Sequence, residues 1–109
     1  MPQSNALPLE VSQAVRLLGQ NIRTARLRRR MSQESLVAAS GVDRKTLYRI
    51  EHGEPGVSIG TVYTVLWALG LLPTAQHVAG PEADEHGKTL EHARLPQKAR
   101  TARRIDNDF

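Results

Sequence analysis

Apolar residues recur along this chain at helical spacing, not at the alternation of strands. Val11, Val15, Leu18, Ile22 and Ala25 follow one another at steps of 4, 3, 4 and 3. That stripe predicts a first helix from Pro8 or Leu9 to Arg30. Ser32 then offers an N-cap, and Glu34 puts negative charge in the first turn of a second helix whose Leu36 and Val37 face inward. The turn falls at Ser40–Gly41–Val42, where Gly41 supplies a left-handed backbone if one is needed. Asp43 caps a third helix with Leu47 and Ile50 inward, and Gly53 ends it. Ser58 caps a fourth helix, Ile59 to about Leu69, with an apolar face of Ile59, Val62, Leu66 and Leu69 and a stop at Gly70. Pro73 opens a short fifth helix, about Thr74–Val78.

The character changes after Gly80–Pro81. Residues 82–109 are polar, and Leu90, Leu95, Ile105 and Phe109 are their only large apolar side chains. Such a segment cannot bury enough surface to order itself alone, so it is either a flexible tail or an arm that orders on a partner. The expectation is an all-α chain: a flexible N-terminal arm over residues 1–8, a five-helix domain over 9–80, and a polar C-terminal tail over 81–109.

Composition narrows the function. The chain has 109 residues, room for one domain with a tail. Only four aromatic residues are present, so the core must be aliphatic. No cysteine is present, which removes disulfides and thiolate metal sites. His52, His77, His86 and His92 have no ligand spacing with carboxylates, so no metal is expected. The longest apolar run, Val65–Leu72, contains Gly70 and is too short to span a bilayer. Neither a signal-peptide pattern nor a Ser/His/Asp set, Walker loop or dinucleotide fingerprint is found. No enzyme activity, cofactor or membrane association is expected, and a cytoplasmic, nucleoid-associated location is.

Charge points to nucleic acid. Residues 1–81 hold nine Lys/Arg against five Asp/Glu, whereas residues 82–109 hold six of each. The whole excess of positive charge therefore sits with the five-helix domain, where it would neutralise phosphates. On the third helix Lys45, Tyr48, Arg49 and His52 share the outer face, with Arg44 at its edge and no acid between Asp43 and Glu51. In a major groove, Arg44 and Arg49 are the better bidentate readers of guanine, with Lys45 donating to a base or a phosphate. Gln33 could bring the second helix's N-terminus onto a phosphate. Arg28, Arg29 and Arg30 are either further phosphate contacts or a solvated run suited to a helix C-terminus.

Residues 18–71 resemble the lambda-repressor/Cro-like helix-turn-helix, the XRE family. The resemblance is carried by Leu18–Gly19–Gln20–Asn21–Ile22, Arg26, Met31–Ser32–Gln33–Glu34, Leu36, Gly41–Val42, Thr46–Leu47, Ile50–Glu51 and Gly53. It implies a five-helix lambda-repressor-like domain that binds a near-palindromic double-stranded operator as a homodimer. It implies base contacts at Arg44, Lys45 and Arg49 and an anchor at Gln33. Thr46, Tyr48 and His52 complete the expected DNA face. It also implies a structural ion pair between Arg26 and Glu51. Ser40 departs from the family, which more often has an apolar residue there.

A narrower resemblance runs further. Gly53 to Val62, Ala68 to Leu72, then Asp84, Gly87, Leu90, Arg94–Leu95–Pro96 and Arg100, Arg103 and Arg104 look like the HipB-type antitoxins. That likeness implies a HipA-like Ser/Thr-kinase toxin as partner and autoregulation of a shared operon; the alternative is a free-standing regulator. Tyr63 and Trp67 lie four apart, off the expected core face of the fourth helix. They are candidates for a homodimer or partner interface, or for burial under the fifth helix or the tail.

Overall fold

A computed structural model describes residues 7–95. The element order is α1 (Leu9–Arg28), α2 (Gln33–Ser40), α3 (Arg44–Glu51), α4 (Ile59–Ala68), α5 (Leu72–Ala75), a 3-10 turn (Pro81–Ala83) and α6 (Glu85–Arg94). Every regular element among the described residues is helical. Two units divide the chain, residues 1–75 and 76–109. The division follows Ala75, the last buried side chain of the first unit, five residues short of the boundary expected at 80. Residues 1–6 of the expected arm and residues 96–109 of the expected tail, with Arg100, Arg103, Arg104, Ile105 and Phe109, lie outside the described residues.

In the first unit α1 packs on α3, α2 on α3 and α4, and α5 on α4. Each helix gives one or two side chains to a single aliphatic core. These are Ile22 and Ala25 from α1, Leu36 from α2, Leu47 and Ile50 from α3, Val65 and Leu66 from α4 and Ala75 from α5, with Val42 and Leu69 from the connections. Ile22, Leu36, Leu47 and Val65 are almost fully enclosed. At roughly 25 cal/mol per Å² of apolar area, burial of such side chains is a major stabilising contribution to the unit.

Two of the expected faces are corrected. Val11 and Leu18 remain 42% and 39% exposed, so only the C-terminal half of the α1 stripe reaches the core. Length accounts for Val11: α1 has 20 residues and α3 only 8, about 30 Å against about 12 Å, and the first turns of α1 run past their partner. Leu18 lies level with Gly19, which touches α3, but is turned partly to solvent. On α4, Ile59 is 69% exposed and Val65 takes its place in the core. The true face is Val62, Val65, Leu66 and Leu69. α1 also stops at Arg28, with Arg30 in the left-handed region at φ 54°. α5 starts one residue before Pro73, whose missing N–H is not needed in a first turn. It ends at Ala75, leaving Val78 exposed beyond it.

Where α1 meets α3, two glycines set the distance. A Cβ on Gly19 would collide with the backbone carbonyl of Ile50, and one on Gly53 would come 2.7 Å from the Arg16 Cα. Gly53 also sits at φ +73°, which only glycine adopts without strain. Its neighbour Glu54 sends its N–H back to the Arg49 carbonyl, closing the end of α3.

The second unit contains a helix where the sequence offered only a flexible or partner-ordered tail. The Asp84 side chain accepts the Gly87 N–H at 2.9 Å and caps α6. Lys88 Nζ lies 3.2 Å from Glu82 and 3.4 Å from Glu85. No residue of α6 is buried, so local capping and charge pairing are the visible supports of this helix.

Gly19→Ala is expected to cost about 1–3 kcal/mol of unfolding free energy, because the α3 backbone cannot yield to a methyl group. Urea denaturation of the full chain measures it, and a loss below 0.5 kcal/mol would show that the α1–α3 contact is looser than described.

Candidate nucleic-acid interface

The segment from Ser32 to Gly53 is built from local hydrogen bonds. Ser32 Oγ accepts the Ser35 N–H at 3.0 Å, and Asp43 Oδ1 accepts the Thr46 N–H at 2.7 Å. Both satisfy N–H groups that a helix start leaves without partners. Hydrogen bonding to Thr46, side chain first and then backbone, holds the Asp43 carboxyl below the usual carboxylate range, with nearby Lys45 and Arg49 helping. The cap is therefore at full strength above the ordinary Asp range and is lost as pH falls through the lowered value.

Between the helices, Gly41 is left-handed at φ 76° and its N–H bonds the Val37 carbonyl at 2.8 Å. Ser40, the residue that departs from the family pattern, accounts for itself here. Its Oγ donates to the Leu36 carbonyl at 2.7 Å and accepts the Val42 N–H at 3.1 Å. The hydroxyl closes the end of α2 and the entry to the turn, a role that an apolar side chain could not take.

Arg26 and Glu51 lock α3 to the scaffold. Arg26 Nε lies 2.7 Å from Glu51 Oε2 and Nη2 lies 2.9 Å from Oε1, a two-toothed pair, while Nη1 donates to the Met31 carbonyl at 3.0 Å. Both residues are buried, at 6% and 5% exposure. The hydrogen bonds to Glu51 raise the Arg26 pKa above its ordinary value against the opposing pull of burial. Among the described residues no buried side-chain polar atom lacks a partner.

With Leu47, Ile50 and Glu51 turned inward, α3 presents the rest to solvent. Lys45 is exposed, Thr46 half-buried, and Gln33 half-buried at the first position of α2. Tyr48 and His52 stack, with ring centroids 3.7 Å apart and planes 21° from parallel. His52 Nδ1 lies 2.8 Å from the Tyr48 carbonyl. A carbonyl only accepts, so Nδ1 carries the proton and Nε2 faces outward. The two arginines are not free. Arg44 Nη1 is 2.7 Å from Glu34 Oε2 of α2, and Arg49 Nε is 3.1 Å from Glu54 Oε1 of the loop after α3. Sequence reasoning missed these acids. Glu34 reads as a first-turn charge and Glu54 as a loop residue, and their reach to the arginines is set by the fold.

The candidate pair on α4 divides. Tyr63 is half-buried against the core, while Trp67 is 59% exposed. Arg29 Nη1 bonds the Ala25 carbonyl of its own helix at 2.9 Å, which tethers one of the three terminal arginines to α1. No described helix is long and apolar enough to cross a membrane.

An all-α lambda-repressor-like unit, with two capped short helices and a cationic outer face on the second, is a DNA-binding module of the helix-turn-helix class. A family model described as a helix-turn-helix domain matches residues 17–77, more than half of the chain. The chain belongs to the helix-turn-helix domain family, and at that level it is a DNA-binding transcription regulator. The match begins at Leu17, leaving out the turns of α1 that run past the core. Comparison with curated proteins and with solved structures found no match.

Removing either partner of the buried pair leaves an uncompensated charge. Arg26→Met or Glu51→Leu alone is expected to cost about 3–5 kcal/mol, and the double variant much less. Thermal and urea unfolding of the three variants tests this; equal losses in single and double variants would contradict it.

Proposed function

We propose that this protein is a sequence-specific, non-enzymatic repressor that binds a near-palindromic operator as a homodimer and reads it with α3. The observation that carries the reading is the outer face of α3 itself. Arg44, Lys45, Thr46, Tyr48, Arg49 and His52 are grouped on or beside one surface, on a helix whose angle is fixed by the buried Arg26–Glu51 pair. Arg44 and Arg49 donate to guanine O6 and N7, Lys45 to a base or phosphate, and Gln33 brings the start of α2 onto the backbone. In a dimer the two α3 helices enter successive major grooves about 34 Å apart.

The same reading makes the repressor the antitoxin of a HipA-like Ser/Thr-kinase toxin, autoregulating their shared operon from the cytoplasm. Its support is the likeness of residues 53–104 to HipB-type antitoxins. The exposed Trp67 and the capped helix around Asp84, Gly87, Leu90 and Arg94 are the surfaces such a partner would use. A free-standing regulator is the alternative, and the two separate on partner chemistry. Affinity purification of the tagged full chain from its native host, followed by mass spectrometry, is expected to return a stoichiometric kinase-like protein. Recovery of the chain with DNA alone would overturn the antitoxin reading and leave the repressor.

DNA reading has its own test. Against a duplex selected from a random library, Arg49→Ala is expected to lose about 1–3 kcal/mol and to relax the preference at one base pair. Lys45→Ala is expected to weaken binding more evenly and to flatten the salt dependence. Binding that ignores salt, or an Arg44→Ala/Arg49→Ala double variant that keeps its site, would contradict the assignment.

A further inference from the structure

The two arginines of α3 share a feature that the family resemblance does not assign. Each is held by a carboxylate from a different segment, Arg44 by Glu34 of α2 and Arg49 by Glu54 of the following loop. Both pairs are exposed, so they contribute little to stability, and stability does not explain two such pairs on one face. Their geometry is more informative. Glu34 engages Arg44 through Nη1, which leaves Nε and Nη2; Glu54 engages Arg49 through Nε, which leaves Nη1 and Nη2. In each case one carboxylate takes one donor, and a two-donor edge of the guanidinium stays open. Such an edge matches O6 and N7 of guanine.

Around Arg49 the loop leaves room at Gly56. A Cβ on Gly56 would come 3.0 Å from Arg49 Nη2, so a side chain there would press the guanidinium to shift. A cleft of about 640 Å³ lies beside it, lined by Val11, Val15, Arg49, Glu54, Pro55 and Gly56 among others. Arg49 is thereby held by the Glu54 carboxylate, with no side chain at Gly56 to crowd Nη2, while Arg44 is held from α2.

We propose that Glu34 and Glu54 are specificity-determining positioning residues, which orient Arg44 and Arg49 for base recognition and keep them from phosphates. The inference rests on the DNA-reading function proposed above and deepens it. Two effects act in the same direction. A tethered arginine has already lost rotamer freedom, so the correct base meets a prepared donor edge. A carboxylate beside the duplex repels phosphate, so a wrong sequence, which offers only backbone contacts, is bound less well. The acids therefore lower affinity for arbitrary DNA more than for the operator.

The test uses the full chain and two duplexes of equal length, one selected from a random library by the wild-type protein and one of scrambled sequence. Binding is followed by fluorescence anisotropy over a range of salt. Glu34→Gln and Glu54→Gln are each expected to bind the scrambled duplex more tightly and the selected one no more tightly. The ratio of the two affinities should fall roughly tenfold. On the scrambled duplex the salt slope should steepen by about one. Gly56→Ala changes no charge but crowds Arg49, and it should lower the same ratio mainly through weaker binding of the selected duplex. A merely structural role for the acids would leave the ratio unmoved. Equal tightening on both duplexes, or an unchanged ratio in both Gln variants, would overturn the proposal while leaving DNA reading intact. A wild-type protein that cannot tell the two duplexes apart would overturn the reading on which it rests.

Discussion

One guanidinium ties the reading unit together. Arg26, buried near the end of α1, spends Nε and Nη2 on Glu51 at the end of α3 and Nη1 on the Met31 carbonyl in the connection to α2. One rigid, planar group joins the end of α1 both to the connection that follows it and to the end of α3, 25 residues on. The two bonds to Glu51 are buried beside a small aliphatic core, where an unmet donor would be costly, and the bond to Met31 is part-buried. Apolar packing alone tolerates sliding and rotation of short helices. The two-toothed bond does not, because both distances fail together when α3 turns. The angle at which Lys45, Tyr48 and the two arginines face outward follows from that constraint.

The other supports are arranged around it. Gly19 and Gly53 remove side-chain bulk on both sides of the α1–α3 crossing, bringing Glu51 within reach of Arg26. Ser32 and Asp43 fix where α2 and α3 begin, and Ser40 fixes how the chain passes between them. With only eight residues each, α2 and α3 would be marginal helices in isolation. The caps set their register and the core sets their packing. The outer face of α3 is thus free to be polar and cationic, since none of its side chains is needed for the fold.

Much of this was legible in the chain. Ser, Asp and Gly mark helix ends because their side chains, or the lack of one, solve a local bonding problem, and such problems are visible over three or four residues. The four caps and stops read at Ser32, Asp43, Ser58 and Gly70 all appear at those places. The Arg26–Glu51 pair came from family resemblance; spacing alone would not connect residues 25 positions apart. Faces were read less well. Periodicity shows that Val11 and Leu18 lie on one stripe but not which part of that stripe meets a partner, and it puts Ile59 where Val65 belongs. α6 escapes a reading by periodicity because its apolar content is low and no residue of it is buried, although the Asp84 cap is a local signal of the same kind. The partners of Arg44 and Arg49 depend on tertiary placement and left no local signal.

Fold rests on the inward faces of α1, α3 and α4, and the proposed reading surface is one outward patch, Gln33 to Ser35, the outer face of α3 and the Glu54–Gly56 loop. Amide chemical shifts of the 15N-labelled full chain, followed while a duplex selected by the protein is added, test that division directly. Large shifts are expected at those three segments and small ones along Leu9–Arg16 and α4. Shifts centred on the Trp67 side of α4 or on α6, with α3 unmoved, would contradict it.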